Sequence, residues 1–411
     1  MTGIGRPDVD DVAYEQLRQR FRPVFERIAA GAVERERGRE LPFEQVKWLK
    51  AARFGAVRLP VADGGGGASV SQLFDLLIEL GEADSNLPQI LRAHFGFVEE
   101  RLYEPDSDQR DRWLSAVADG AIIGNATTEI GDGALGTVRT TLDGADGAEL
   151  WSLNGTKHYS TGSLFADGVF VFARRGERLG FAVVSTAATG VTQSDNWAGF
   201  GQQMTGSGTT VLEDVSVDPS DVFWYSDETP SYIIAFYQLV LLASLAGIGR
   251  AVARDAAEYV RGRRRVFSNG SGDSAREDPL VQQIIGQLSA LSFSVDATVR
   301  SAAAGLERIN SIHQAGNAPT RADFDAAETS VSLAQGTVGD SVLKAATLLF
   351  DVGGSSSVDQ DRALDRHWRN ARTICVHNPT MYKVRSVGDT VLNDQAPTYA
   401  WVVGAPRSDQ G

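Results

Sequence analysis

The chain changes periodicity twice, and those two changes restrict its architecture more than any single motif. From Val12 to Ala32 apolar residues recur at helical spacing through Leu17, Phe21, Val24, Phe25 and Ile28. The same spacing predicts helices over Phe43–Phe54, Val70–Gly81, Leu87–Tyr103 and Ser107–Ala118. Residues 121–225 differ in kind. Short runs rich in Val, Thr, Phe and Tyr, such as Ala148–Leu153, Gly168–Phe172, Gly180–Val184 and Thr209–Val217, are punctuated by glycine and aspartate. They predict a small antiparallel barrel or sandwich. After Pro219 and Pro230 helical spacing returns over Tyr232–Ser268, Asp278–Ala303, Arg321–Phe350 and Ala363–Arg372, with a closing helix over Tyr382–Leu392. The chain therefore reads as α+β in three parts: a helical domain over 1–120, a β domain over 121–225, and a four-helix bundle over 226–411.

Composition narrows the partners. A chain of 411 residues, 42% apolar and 22% charged, has the balance of a soluble globular protein large enough for more than one core. No apolar run reaches membrane-spanning length, and Met1–Asp11 lacks the basic and apolar regions of a secretory signal. The single cysteine, Cys375, excludes an internal disulfide and a multi-cysteine zinc site, so cytoplasmic residence is expected. A net charge of −14 argues against nucleic acid. Within this acidic chain Arg261-Gly262-Arg263-Arg264-Arg265 reads either as a local anion site, such as a phosphate site, or as a solvated helix end. The late helices carry apolar and small residues on more than one face (Leu241, Leu242, Ala243, Leu245, Ala246), which implies burial in a bundle or against another subunit.

The segment Leu153 to Ser163 reads as strand, a two-residue Asn154-Gly155 turn, strand, then hydroxyls around Gly162. A hairpin that delivers Ser160, Thr161 and Ser163 to one face suits a flat polar ring.

The helix–barrel–helix order, with these polar clusters, resembles the acyl-CoA dehydrogenase superfamily. Pro60-Val61-Ala62-Asp63-Gly64 to Gly67 looks like its proline- and glycine-rich turn between early helices. Gly124-Asn125-Ala126-Thr127-Thr128-Glu129 is similar to the segment beside the flavin pyrimidine, and Asn154 to Gly162 to the segment beside flavin N5. Asp214 to Pro219 fits the closing strand of the barrel. Within the superfamily the chain resembles the flavin-dependent monooxygenase branch typified by dibenzothiophene monooxygenase. That likeness rests on Asn125, Leu153 to His158, Asp195-Asn196-Trp197-Ala198, Trp368-Arg369-Asn370, Arg372-Thr373 and His377-Asn378-Pro379.

The resemblance implies a homotetramer that takes reduced FMN from a separate flavin reductase (FAD is the alternative) and oxygenates a small aromatic sulfur compound through a C4a-hydroperoxyflavin. Asn125 and Thr161 would supply donors to the peroxide, with Thr128 beside the ring and Trp197, with Phe200, walling one face. His377, helped by His94, would supply the proton, since histidine titrates near neutrality. The branch often has a second histidine three residues before His377; here that position is Ile374. Arg265, backed by Arg263, would take the flavin phosphate, and Arg369 with Asn370 would reach a phosphate from a neighbouring subunit. Lys157, His158, His313 and His367 read as structural.

Two alternatives share this fold: an N-hydroxylating monooxygenase acting on an amine, and an FAD-dependent acyl-CoA dehydrogenase. A dehydrogenase needs a carboxylate to remove the proton alpha to a thioester. Many members place it late in the bundle, but the last glutamate here is Glu328. Some members place the base on an earlier helix. No Gly-x-Gly-x-x-Gly follows a strand, so a nicotinamide site is not expected.

Overall fold

The computed structural model describes residues 11–131, 136–225 and 231–400. Met1–Asp10 and Pro230, which the sequence marks as boundaries, lie outside that set. The first helical layer comprises α1 (Asp11–Ala30), α2 (Ala32–Gly38), α3 (Phe43–Ala51), α4 (Val70–Ala83), α5 (Asn86–Tyr103) and α6 (Asp108–Ala118). Side chains set several starts. Ser69 accepts from the Gln72 amide while Gln72 returns a bond to the Ser69 amide, and Ser107 caps α6. The second layer comprises α7 (Ile233–Gly262), α8 (Pro279–Gln314), α9 (Arg321–Leu348), α10 (Arg366–Cys375) and α11 (Thr380–Asn393).

One apolar core joins the two layers, running from Phe21, Phe74 and Leu77 to Leu241, Leu245, Val338 and Ile374. At its centre α7 crosses α4 so closely that a Cβ on Gly247 would overlap the Gly81 backbone. Contrary to the sequence expectation, α7 is long and apolar enough to cross a bilayer, with a hydropathy of 1.7 over its best window. Yet 78% of that window is buried inside the protein, as in the core helix of a packed bundle.

Between α6 and α7 in the chain comes a mixed sheet of eight strands: β1 (Ile123–Ala126), β2 (Thr141–Asp143), β3 (Trp151–Lys157), β4 (Gly168–Arg175), β5 (Arg178–Ser185), β6 (Val191–Ser194), β7 (Thr209–Val217) and β8 (Val222–Trp224). Their order is β6-β7-β3-β2-β4-β5-β8, with β1 also on β4. The expected barrel does not close. Strands β1 and β2 share β4, both parallel to it, and the end strands β6 and β8 do not pair with each other.

The expected Asn154-Gly155 hairpin is also absent. Both residues lie inside β3, where the register with β7 shifts between Leu153 and Gly155. Asn154 Oδ1 accepts from the Asp214 amide at 2.8 Å, and Asp214 holds φ at 50°. A Cβ on Gly155 would collide with Thr140. The pair that often makes a turn here makes a β-bulge.

His94, on α5, joins the first helical layer to the sheet. Its Nδ1 accepts from the Ile123 amide of β1 at 3.2 Å, so Nε2 carries the proton and donates to the Gly55 carbonyl at 3.0 Å. The side chain is fully buried, and burial pushes its pKa down to about 4. His367, also buried and bonded to Asp255 at 2.8 Å, is pushed down to about 4 by burial and by Arg366. Both rings stay neutral in the fold and gain a proton on unfolding. Stability is therefore full above the free-histidine value of 6.5 and is lost as pH falls from there towards about 4. Replacing His94 with leucine should cost roughly 2–4 kcal/mol by leaving two buried backbone groups unpaired, and should flatten that acid loss. Urea unfolding at several pH values checks both; a change below about 0.5 kcal/mol would mean the joint is dispensable.

Candidate active site

The hydroxyl segment ends β3 and turns sharply onto α5. Gly162 has φ 81°, and a Cβ there would overlap the Ile90 carbonyl oxygen. The three hydroxyls do not present one face. Ser163 Oγ donates to the Asn125 carbonyl at 2.8 Å, Thr161 Oγ1 lies 2.7 Å from Ser207 Oγ, and Ser160 Oγ is buried with no hydrogen-bond partner among the described residues. Thr128 pairs with His158 through the backbone. Asn125, Thr128 and Thr161 therefore do share one patch, where β1 meets the end of β3. The Asn125 carboxamide makes no hydrogen bond to another described residue, so it remains available as a donor.

The loop between β6 and β7 closes one side. Trp197 donates from Nε1 to the Gly201 carbonyl at 3.1 Å and meets Tyr159 edge-on at 5.8 Å. Phe200 turns away from it and stacks on Trp368 at 6.0 Å. Lys157 is structural as expected: fully buried, its Nζ lies 2.7 Å from Glu129. Burial opposes the charge on Glu129, yet Lys157 and Thr140 hold its pKa well below the usual range.

The two histidines do not share a pocket. With both ring nitrogens bonded to backbone, His94 has no proton to give to a substrate. His377 instead meets Arg92, two residues along α5 from Ile90, whose carbonyl lies against Gly162. Arg92 Nη1 donates to His377 Nε2 at 3.1 Å, which places the ring proton on Nδ1. Asn378 hydrogen-bonds the ring, and its own Nδ2 donates to Gln238 Oε1 of α7 at 2.7 Å. The His377 side chain is exposed by surface area, with protein atoms crowded around its base. Burial and the Arg92 charge push its pKa down to about 3, so it is a neutral imidazole at physiological pH. Arg92 also lies 5.3 Å from the Tyr237 ring centroid, and Tyr237 fills the space left by the missing side chain of Gly96.

Sequence reasoning missed Arg92 and Tyr237. The available signal was one arginine inside the apolar run Ile90-Leu91-Arg92-Ala93.

The arginines expected at phosphates sit elsewhere. Arg369 pairs with Glu36 at 2.9 Å and Asp365 at 2.7 Å, and donates to the Phe200 carbonyl at 3.1 Å. Asn370 Oδ1 accepts from the Gln202 amide at 2.5 Å. Both residues clamp the 199–203 loop to α10 and are already neutralised within the subunit. Arg264 and Arg265 line a recess of about 1170 Å³ beyond the end of α7, with Arg254, Tyr259, Ser355 and Ser356 on its walls. No carboxylate among the described residues pairs with either. Twenty-four residues of α7 separate Gln238, beside the His377 recess, from Gly262; at 1.5 Å per residue that is about 36 Å. Arg265 is thus far from Thr161 of its own subunit.

The late carboxylate is committed as well. Glu328 is buried and paired with Lys383 Nζ at 2.6 Å, and Lys383 also donates to the Thr398 and Tyr399 carbonyls.

Comparison with known proteins agrees with this geometry. Residues 13–121 match the family Acyl-CoA dehydrogenase, N-terminal domain, and residues 239–381 match Acyl-CoA dehydrogenase, C-terminal domain. A dibenzothiophene monooxygenase of Rhodococcus erythropolis is 27% identical over 393 residues, which is 92% of this chain and 93% of that protein. SfnC of Pseudomonas putida, named a probable FMNH2-dependent monooxygenase, is 26% identical over 90% of this chain and 93% of its own length. The structure of TdsC from Paenibacillus sp. A11-2 in complex with FMN and indole superposes with a TM-score of 0.84 at 25% identity, over 95% of this chain and 98% of that one.

Replacing Gly162 with alanine tests the clamp between the hydroxyl turn and α5. Strain at the positive φ and the clash with Ile90 should together cost about 2 kcal/mol or more in urea unfolding. An unchanged midpoint would show that the turn is not held there.

Proposed function

The chain belongs to the acyl-CoA dehydrogenase superfamily, and on that premise we propose that it is a two-component flavin-dependent monooxygenase, taking reduced FMN from a separate reductase and oxygenating a small aromatic sulfur compound. The observation that carries this reading is the hydrogen-bonded chain Arg92–His377–Asn378–Gln238 at the recess, in which the imidazole is neutral and no carboxylate takes part. A dehydrogenase would need an ionised carboxylate there, and Glu328, the last glutamate, is tied to Lys383.

The residues fit a flavin. The Asn125 carboxamide and the buried, partnerless Ser160 hydroxyl offer polar groups where β1 meets the end of β3, and Thr161 adds a hydroxyl to the same patch. Thr128 lies beside them, and Trp197 walls one side. When bound, reduced flavin supplies the two electrons with which oxygen is split between the substrate sulfur and water. Asn125 and Thr161 orient the ring edge. His377 carries its proton at Nδ1 while Arg92 donates to Nε2, so the pair fixes where that N–H is held.

Arg264 and Arg265 fit the FMN phosphate, but on a flavin seated in another copy of the chain, since α7 separates them from Thr161 of their own subunit. This favours assembly as a homotetramer, with sites completed across subunits. Light scattering that shows a concentration-independent monomer would overturn it.

Arg265→Ala should raise the Kd for FMN at least about tenfold, the loss of one charge-assisted phosphate contact, and leave riboflavin binding unchanged. Equal weakening of both would remove Arg265 from the phosphate. His377→Ala should bind FMN nearly as well and still consume oxygen, but release it as hydrogen peroxide in place of oxygenated product. Full coupled turnover in that variant would make His377 a packing residue.

A further inference from the structure

Arg92, half-buried on α5, differs from the buried arginines of the helical layers. Arg35 pairs with Asp84 at 2.9 Å, Arg58 with Glu99 at 2.9 Å, Arg101 with Glu104 at 2.6 Å and Arg366 with Asp255 at 2.6 Å. Arg92 has no carboxylate partner among the described residues. Its one hydrogen-bond acceptor there is the neutral Nε2 of His377, and the groups around it, Tyr237, Asn378 and Gln238, are uncharged. The nearest acids along its own helix are Glu99, seven residues on and paired with Arg58, and Glu100, eight residues on and about 12 Å along the axis, with Tyr237 packed at Gly96 before them. Burial also raises Glu100 to about 7, so it carries only part of a charge.

A desolvated guanidinium without a counter-ion is costly, and burial pulls Arg92 down to about 10. The remaining N–H donors of its fork are unused, in a recess that His377 shows to be open. Forked donors of this kind match the paired oxygens of a carboxylate or sulfinate. A neutral aromatic sulfide would leave the charge uncompensated.

We propose that Arg92 binds an anionic group of the substrate, a sulfinate or carboxylate, and so selects acidic organosulfur compounds over neutral ones. The identity of the reacting atom rests on the monooxygenase reading; the anion site is a property of the recess.

Calorimetry on the protein loaded with oxidised FMN, where no turnover occurs, tests this with benzenesulfinate, benzoate and neutral methyl phenyl sulfoxide. At least one anion should bind about tenfold or more tightly than the sulfoxide, as expected for a charge-assisted pair. Tighter binding of the sulfinate would identify a sulfur oxyanion as the recognised group, and tighter binding of benzoate a carboxylate. Arg92→Gln should abolish the preference and bind the sulfoxide at least as well as before. Arg92→Lys, which keeps the charge without the fork, should retain part of it and decides the matter if the glutamine variant does not fold. Anions that bind no tighter than the sulfoxide, or a preference that survives in Arg92→Gln, would overturn the proposal. Oxygen uptake with reduced FMN on the same preparation separates the two claims. Anion preference without substrate-dependent uptake contradicts the monooxygenase reading alone, and uptake without anion preference contradicts the anion site alone.

Discussion

A buried imidazole bonded at both nitrogens to the main chain fixes where the helical layers meet the sheet. His94 ties the Gly55 carbonyl after α3 to the Ile123 amide that begins β1. Because α5 is held there, its other positions acquire defined neighbours. Ile90 receives the Gly162 turn, Arg92 reaches His377, Gly96 admits Tyr237, and Glu99 accepts from Arg58 and from Tyr232 at 2.5 Å. One helix thus sets the hydroxyl patch and the recess at fixed separation. A substitution that freed α5 would disturb both at once.

The electrostatics of the recess follow from that placement. Arg92 brings a positive charge where neighbouring side chains are neutral, and it keeps His377 from acquiring a second one. An imidazolium is therefore not the resting acid of the site. The neutral histidine holds its proton at Nδ1, and the fixed cation beside it is the feature that a negatively charged group would complement. The same placement disfavours thioester dehydrogenation, since no ionised carboxylate of the described residues faces His377.

Much of the fold was legible because it depends on local signals. Apolar stripes and the loss of helical spacing after residue 120 marked the elements to within a few residues, although α7 stops at Gly262 and α8 runs on to Gln314. Asn154-Gly155 misled because the residues that favour a hairpin turn also favour a bulge, and only the register with β7 distinguishes the two. Barrel closure was illegible for a similar reason: it depends on whether end strands pair, which no segment records. At the site, Asn125, Thr128 and Thr161 lie on adjoining segments, Asn125 through its carbonyl on Ser163 and Thr128 through the backbone of His158. Pairing His94 with His377 failed because it needed tertiary contacts. Arg369 and Asn370 look like ligand residues in sequence, but Glu36, the Phe200 carbonyl and the Gln202 amide, which they bind, come from segments more than 150 residues away. Arg92 could have been noticed by asking what neutralises a lone arginine in an apolar helix.

The central claim is that oxygen from the gas enters the product. Turnover with enzymatically supplied reduced FMN, an aromatic sulfinate and isotopically heavy dioxygen, followed by mass spectrometry, measures it most directly. The account predicts that each product molecule gains one heavy oxygen atom at sulfur. Product without label, or anaerobic bleaching of the bound flavin by an acyl thioester, would contradict it and return the chain to dehydrogenase chemistry.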